Sequence, residues 1–306
     1  MKKYDVIIVG AGVSGLAAGM YAGRLNLSTL VIGENKGGTI ALTTDVENYP
    51  GFTSITGLEL AKRLEDHAKK FCATIIEEPV LKIKKERNDF IVFTKTKKDL
   101  AKTIIIATGT ERRKLKVPGE DKFMNNGVHS CALCDGPFYR NKIISVIGGS
   151  DSAAKEALLL TNYAKKVYII YRKDKIRPEP INYERIMKNK KITIINNTNV
   201  LEIKGNKNVK SVILDKPYKN NRELNLDAVF IEIGQIPLSA IAKELKVKLN
   251  EKGEIIINRN SETNVQGLFA AGDVTDTEFK QAITGVAEAV TAAYSAYKYI
   301  TKGKIN

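Results

Sequence analysis

The residues with the most concentrated chemistry are Cys131-Ala132-Leu133-Cys134-Asp135-Gly136, two thiols three positions apart followed at once by a carboxylate. Three roles exist for such a pair. As a structural disulfide it gains little, because a loop of about four residues removes only ~1.9 kcal/mol of unfolded-chain entropy against ~3 for fifteen. As half of a zinc site it needs two further ligands, and the chain offers only Cys72, His67 and His129, with no second C-x-x-C. The role that asks for nothing more is a redox-active dithiol. Thiol–disulfide exchange needs an attacking thiolate and protonates a leaving one, and Asp135 is placed to move that proton if burial raises its pKa. His129, two residues before Cys131, would lower a thiol pKa as an imidazolium, but a packing role is the ordinary one for a lone histidine. Cys72 follows the amphipathic stretch Leu60–Phe71 and reads as a buried apolar filler.

The elements that must hold this pair are legible on both sides of it. Asp5–Val9 is a β-branched run, followed by Gly10-Ala11-Gly12-Val13-Ser14-Gly15, the alanine-rich stretch Leu16–Arg24 and a second apolar strand, Ser28–Ile32. That is a βαβ unit with G-x-G-x-x-G at its turn. Gly10 permits the tight turn, Gly12 lets backbone approach a pyrophosphate, and Gly15 lets helix pack on strand. The helix N-terminus then faces the phosphates with its partial positive charge. The device recurs after the cysteines: strand Lys142–Ile147, turn Gly148-Gly149-Ser150-Asp151-Ser152-Ala153, helix Ala154–Tyr163, strand Val167–Tyr171. Two such units predict two bound nucleotides. Between them Val80–Ile106 reads as a β-meander ending in Ala107-Thr108-Gly109, and Gly267–Asp273 reads as a short strand before the alanine-rich helix Ile283–Ile300.

The whole chain of 306 residues is long enough for two domains, each with its own core. Hydrophobic residues at 43% and charged residues at 27% exclude a disordered or fibrous class. Val6–Val9 is too short for a signal-peptide core and no apolar run approaches the ~18 residues of a membrane span, so a soluble cytoplasmic protein is expected. The net charge of +15 invites a nucleic-acid reading. Its distribution opposes one: residues 115–242 carry 21 basic against 13 acidic residues, and the remainder 28 against 21. An excess spread evenly, with no basic arm and no tryptophan, is a solvated lysine surface.

A glycine fingerprint at the N-terminus, C-x-x-C-D mid-chain and a second fingerprint just after it together resemble the low-molecular-weight thioredoxin reductases, and the resemblance covers essentially the whole chain. Gly37-Gly38, Thr44-Asp45-Val46-Glu47-Asn48-Tyr49-Pro50-Gly51-Phe52, Ala270-Ala271-Gly272-Asp273 and Gln281-Ala282 add to it. The resemblance implies an α/β fold of two Rossmann-like three-layer domains, the second inserted into the first. An FAD domain would comprise 1–111 and 243–306, and an NAD(P)H domain carrying the C-x-x-C would comprise 112–242. By the same resemblance Gly10, Ala11, Gly12, Ser14 and Gly15 surround the FAD pyrophosphate and Glu34 the adenosine ribose. Gly38, Thr39, Asn48, Thr108 and Gly109 line the flavin side, Gly272 and Asp273 hold the ribitol, and Lys280, Gln281 and Ala282 meet the ring edge. Gly148, Gly149, Ser150, Asp151 and Ser152 would take the nicotinamide dinucleotide.

The resemblance further implies a homodimer and a rotation of the inserted domain about Thr110–Lys116 and Gln235–Ser239, which alternates two partners at one site. Electrons would pass from NADPH to FAD, then to the Cys131–Cys134 disulfide, and then to a thioredoxin-like protein. Cys134 would face the flavin, Cys131 would attack the partner disulfide, and Asp135 would be the general acid/base. No resident metal is implied. The chain departs from the family pattern at several positions. Thr39 stands where glutamine is usual and Lys280 where arginine is frequent. Ser150 occupies the second glycine of the second fingerprint, where a side chain crowds the pyrophosphate but its hydroxyl can also hydrogen-bond it. Tyr171-Arg172-Lys173-Asp174-Lys175-Ile176-Arg177 keeps cations at all three positions of the family's phosphate-selective pattern, which favours NADPH over NADH, although lysine cannot bind bidentately. Alternatives are the same fold with NADH, ferredoxin or a deazaflavin as donor, and a non-enzymatic metal- or nucleic-acid-binding protein.

Overall fold

The structure, a computed structural model, describes residues 1–43 and 46–302, apart from the side chain of Cys134. Thr44 and Asp45 of the motif quoted above therefore lie outside the described residues. The chain divides into two compact units, Met1–Glu111 with Ile236–Asn306, and Arg112–Gln235.

The first unit begins with β1 (Lys3–Val9), α1 (Val13–Arg24) and β2 (Thr29–Gly33). Then follow α2 (Gly57–Lys70), β3 (Thr74–Glu77), β4 (Lys82–Glu86), β5 (Asp89–Phe93) and β6 (Lys98–Ile106). The strand order is β3-β2-β1-β6-β5-β4. β1, β2, β3 and β6 run parallel, while β4 and β5 form an antiparallel meander on the first half of β6. The two-residue period of β1 sends Ile7 and Val9 into one core with Leu30, Phe90 and Ile104. Val6 and Ile8 enter the opposite core with Ala17, Ala18 and Val31. Each of the buried Val, Leu, Ile and Phe side chains among them contributes on the order of 1.5–3 kcal/mol. α2 is a surface helix: Thr56 accepts the N–H of Glu59 as its N-cap, and Glu59–Arg63 and Lys62–Asp66 pair at i,i+4 on its exposed face.

The chain passes between the units twice, through β7 (Thr110–Arg112) and, on its return, through a strand paired with it. The second unit contains β8 (Val128–His129), α3 (Ala132–Asp135), β9 (Ile143–Ile147), α4 (Asp151–Leu160), β10 (Lys166–Ile170), α5 (Pro180–Lys188) and β11 (Ile192–Ile195). It closes with β12 (Val200–Gly205), β13 (Val209–Tyr218), β14 (Asn221–Asn225) and β15 (Ala228–Ile231). Its parallel sheet has the order β11-β10-β9-β15-β8. α4 covers one face through Ala153, Ala154, Ala157 and Leu160. The antiparallel sheet β12-β13-β14 covers the other, placing Val200, Val212 and Leu214 against Ile147 and Val229.

The chain returns through β16 (Gln235–Pro237) to β17 (Leu268–Ala270), which pairs parallel with the second half of β6, and ends in α6 (Ala282–Thr301). Ala289, Ala292, Ala293 and Ala296 let α6 lie close against α1 in the core that holds Val6 and Ile8. No helix among the described residues is long and apolar enough to cross a membrane.

Candidate active site

The dithiol segment hangs from the edge of the second unit's sheet. β8 pairs parallel with β15, Phe230 opposite His129, and the chain then turns through Cys131 into α3. A 3-10 turn, Gly136–Tyr139, follows with Pro137 near its start. Cys131 is 8% exposed and disulfide-bonded, and Cys72 is a free thiol. Asp135 is half-buried, and its Oδ2 lies 3.1 Å from Nδ1 of His129. That approach is short but bent away from an ideal hydrogen bond. The other ring nitrogen, Nε2, lies 2.7 Å from the Tyr139 hydroxyl. The rings of His129 and Tyr139 both pack on Phe230. Burial holds the imidazole below its ordinary pKa against the opposing pull of the Asp135 carboxylate. The neutral tautomer that fits turns Nδ1–H toward Asp135 and accepts the Tyr139 O–H at Nε2. His129 is therefore a buried residue that orients Asp135.

The first fingerprint is built as its glycines predict. Gly10 has φ +117°, and a Cβ there would lie 2.1 Å from the Ala107 carbonyl oxygen. A Cβ on Gly15 would lie 1.8 Å from the Gly10 carbonyl oxygen, so α1 seats against the turn only with glycine. Gly12 differs: the nearest atom to its Cβ would be Cα of Gly38, 3.8 Å away. No protein atom therefore needs glycine at position 12. Gly12 is also the N-cap of α1 with no side-chain cap, and the first turn carries no acid. The open N–H groups and the vacant Cβ position fit a pyrophosphate, and thus a dinucleotide. Gly37 donates its N–H to the Ala11 carbonyl at 2.8 Å, which lays Gly37-Gly38 along the same turn. Glu34 is the first residue beyond β2 and is exposed, as is Thr39.

Asn48, Gly272, Asp273, Lys280, Gln281 and Ala282 gather at the N-terminus of α6. Ser14, on α1, sits where a Cβ on either Gly272 or Gly285 would meet its Oγ at 2.5 Å. Gly272, Asp273, Lys280, Gln281, Thr284 and Glu288 line one cleft. Asn48 donates to Gln281 at 2.9 Å, although 233 residues separate them. Ala282 is the first residue of α6. Burial pushes the Asp273 carboxyl above its ordinary value, Lys280 opposes this and Glu288 adds to it. The Lys280 ammonium is committed to the protein: it donates to the carbonyls of Asp273 and Thr275 at 3.0 and 2.6 Å and pairs with Glu254 at 3.0 Å. Thr108 donates to the Leu238 carbonyl at 2.8 Å, and the adjacent Gly109 accepts the Leu238 N–H at 3.0 Å.

The second fingerprint is constructed differently. Ser150 caps α4, its Oγ accepting the Ala153 N–H at 3.4 Å, so one of the donors that the first site leaves open is engaged here. The Asp151 carboxylate accepts the N–H of Glu179 and the Asn182 amide at 2.9 and 2.8 Å and pairs with Lys155. Those donors hold it below its ordinary pKa against the opposing effect of burial, and they tie α5 to α4. Ser152 is exposed one residue further on, while Gly148 and Gly149 are buried. The Tyr171 ring fills the space beside Gly149, 2.5 Å from where a Cβ would stand. Arg172, Lys173 and Arg177 all present exposed cations just beyond β10, and Arg177 donates its backbone N–H to the Gly149 carbonyl at 2.7 Å. A cationic group beside a glycine turn fits a phosphorylated nucleotide.

Two expectations need correction or extension. Cys72 is not a buried filler: it follows α2 at φ +61° with its thiol exposed, because the chain leaves the helix through a left-handed position. Its N–H returns to the Lys69 carbonyl at 3.0 Å. Sequence reasoning also missed Arg112, Glu156 and Glu232, which meet beside α3 from three distant stretches of chain with no local pattern to announce them.

The profile of the family described as pyridine nucleotide-disulphide oxidoreductase matches residues 4–292. The thioredoxin reductase of Treponema pallidum is 42% identical over 301 residues, 97% of each chain. The crystal structure of Lactococcus lactis thioredoxin reductase superposes with a TM-score of 0.94 at 36% identity, covering 98% of this chain and 99% of that one. That of T. acidophilum thioredoxin reductase gives 0.92 at 37% identity, covering 97% and 99%. Two dinucleotide folds in one chain fit a flavin and a nicotinamide nucleotide, and the chain belongs to the pyridine nucleotide-disulphide oxidoreductase family, among its low-molecular-weight thioredoxin reductases.

Proposed function

We propose that this chain reduces the disulfide of a thioredoxin-like protein with electrons from NADPH, using FAD and the Cys131–Cys134 pair, as a cytoplasmic homodimer. The observation that carries the reading is the disulfide-bonded Cys131, which immediately precedes α3, the helix that ends in Asp135, in a chain with two dinucleotide turns. Membership of the family supports the remainder. FAD belongs to the unit whose turn is formed by Gly10–Gly15, and NADPH to the unit of Gly148–Ala153. When bound, the flavin supplies a two-electron carrier between nicotinamide and disulfide.

The chain's own residues then do the following. The α1 N-terminus and Gly12 hold the pyrophosphate, and Asn48, Asp273 and Gln281 orient the rest of the flavin nucleotide. Arg172, Lys173 and Arg177 hold the 2′-phosphate of NADPH. Cys131, once reduced, attacks the partner disulfide as its thiolate, forming a mixed disulfide and expelling the partner's second sulfur. Cys134 then attacks Cys131, which re-forms the enzyme disulfide and releases the partner as a dithiol. Asp135, oriented by His129, passes protons between the enzyme thiols and the departing sulfur. Since Cys131 is only 8% exposed, the reading requires a step that uncovers it.

The test is spectroscopic and kinetic together. The purified protein should be yellow, NADPH should bleach it anaerobically, and Cys134→Ser should abolish thioredoxin-coupled turnover while trapping a mixed disulfide at Cys131. A colourless protein, or a Cys134→Ser variant with full coupled activity, ends the proposal. Bleaching by NADH, reduced ferredoxin or reduced deazaflavin but not NADPH reassigns the donor alone.

A further inference from the structure

Within the second unit, Ala132, the residue after Cys131, donates its backbone N–H to Oε1 of Glu156 at 3.3 Å. Glu156 projects from α4, and its side chain is only 16% exposed. Arg112 lies 3.6 Å from the same Oε1 and also pairs with Glu232, whose side chain is 11% exposed. The cluster therefore holds two buried carboxyl groups and one guanidinium. With both acids ionised it carries a net negative charge away from water, and Oε2 of Glu156 is then buried without a hydrogen-bond partner. Both costs are removed by one proton. A protonated Glu156 reduces the cluster to one anion and one cation, and its O–H has the Glu232 carboxylate within reach as acceptor. Like-charged carboxyl groups that share a buried site settle on a single proton for this reason.

We propose that Glu156 and Glu232 share one proton around Arg112, and that this proton sets the charge beside Cys131. Glu156 is thus a positioning residue for the dithiol, separate from Asp135. The inference rests on the redox role proposed above for Cys131. The proton comes from water and returns to it, along the Arg112 side, where 28% of that side chain is exposed. Burial first, and Glu232 second, push Glu156 up to about 8, with Arg112 and the Ala132 N–H pulling the other way. Glu232 is also raised by burial, with Arg112 opposing. Near α3 the other ionisable groups are Cys134, a thiol in the reduced protein, and Asp135, His129 and Tyr139, the last three engaged with one another. When the pair loses its proton, the added negative charge opposes ionisation of the Cys131 thiol. The thiol of the reduced protein should therefore titrate over a wider pH range than a single independent group.

The experiment is alkylation by iodoacetamide of the holoenzyme reduced anaerobically with dithiothreitol, over a pH series, with modification at Cys131 read by mass spectrometry. Wild type should give a curve shallower than one proton. Glu156→Gln, which keeps an oxygen for the Ala132 N–H, and Glu232→Gln should each give a steeper curve than wild type, with only the breadth that the neighbouring Cys134 thiol imposes. In both, the midpoint should move to the acid side by about half to one pH unit. A purely structural role for Glu156 does not move the Glu232→Gln curve, because Glu232 holds Arg112 rather than α3. A one-proton wild-type curve, or either variant superimposing on wild type, overturns the inference. If Glu156→Gln does not fold, the Glu232→Gln curve decides alone. Failure of the NADPH–thioredoxin reading would leave these curves untouched, because dithiothreitol reduces Cys131 chemically.

Discussion

Nδ1 of His129 lies 3.1 Å from Oδ2 of Asp135, while the histidine side chain is only 4% exposed. An imidazole so enclosed is held neutral by burial, and its folded pKa lies below its unfolded one. The unfolded chain then binds the extra proton, so this histidine's contribution to stability is fully present above the unfolded value of about 6.5. It is lost progressively as pH falls through the window between the unfolded and the folded value. The thermal midpoint of wild type should therefore drop on going from about pH 7.5 to about pH 5.5 by more than that of His129→Asn. Equal drops in the two proteins would show that His129 does not titrate in this way.

The same geometry separates Asp135 from its support. On the proposed reading Asp135→Asn removes the proton carrier itself, and coupled disulfide reduction should fall by about 10²-fold or more. His129→Ala leaves the carboxylate but frees its orientation, and the loss should be smaller, on the order of tenfold. In both variants NADPH should bleach the flavin at the wild-type rate, because neither residue belongs to the nicotinamide turn. Stopped-flow absorbance at the flavin band, beside steady-state thioredoxin reduction, checks both halves. An equal slowing of the two half-reactions would place Asp135 outside the disulfide step.

Gly12 and Gly15 make a paired prediction because they are glycine for different reasons. A Cβ on Gly15 would stand 1.8 Å from the Gly10 carbonyl oxygen, whereas one on Gly12 would have no protein atom closer than 3.8 Å. Gly15→Ala should therefore destabilise the apoprotein itself by several kcal/mol, about the cost of overpacking a close backbone contact. Gly12→Ala should leave the apoprotein's melting temperature within a degree or two, roughly the effect of a change that touches nothing. It should nevertheless lose flavin on gel filtration. An apo Gly12→Ala protein that melts far below wild type would mean that position 12 is glycine for folding rather than for ligand approach.

What was legible in the sequence follows from how local each signal is. The two βαβ units show themselves because β-branched runs, a glycine turn and a small-residue helix fall within about thirty residues. Even there the boundaries drift: α4 starts at Asp151, three residues before the alanine-rich run, because Ser150 caps it. The antiparallel layer β12–β14 was not visible. In β13 the run Val212-Ile213-Leu214 does not alternate, and β14 carries a single apolar residue, Leu224, among polar ones, so neither shows a clear two-residue period. α5 is equally quiet, a polar helix opened by Pro180 and held by Asp151. The Arg112–Glu156–Glu232 cluster illustrates the limit most clearly. Its members come from β7, α4 and the residue just after β15, so only the folded sheet brings them together.

Ser150 offers a test in which stability and binding separate. As N-cap of α4 its hydroxyl takes the Ala153 N–H at a long 3.4 Å. Ser150→Gly should cost only about a few tenths of a kcal/mol, since glycine also serves at that position, whereas Ser150→Ala should cost about 0.5–1 kcal/mol. The glycine variant also opens the turn to the pyrophosphate. Its KM for NADPH should fall while its melting temperature stays close to wild type. A KM that rises in Ser150→Gly would mean that the hydroxyl bonds the phosphate instead of crowding it.

On the proposed reading, Arg172 and Lys173 decide the choice of nucleotide. Both are exposed just past β10, and neither pairs with a carboxylate among the described residues, so both cations are available to an incoming 2′-phosphate. Water screens exposed charges, which limits each contact to about tenfold in affinity rather than the larger effect of a buried one. Arg172→Ala and Lys173→Ala should each raise KM for NADPH by about that factor and leave KM for NADH unchanged, because NADH has no 2′-phosphate to lose. Lys173→Arg should act in the opposite sense, since a guanidinium can take two phosphate oxygens where an ammonium offers a point charge. Steady-state kinetics with both nucleotides measures the ratio. If NADH and NADPH respond in parallel to Arg172→Ala and Lys173→Ala, the cations serve the pyrophosphate or the surface, and specificity must come from elsewhere in the turn.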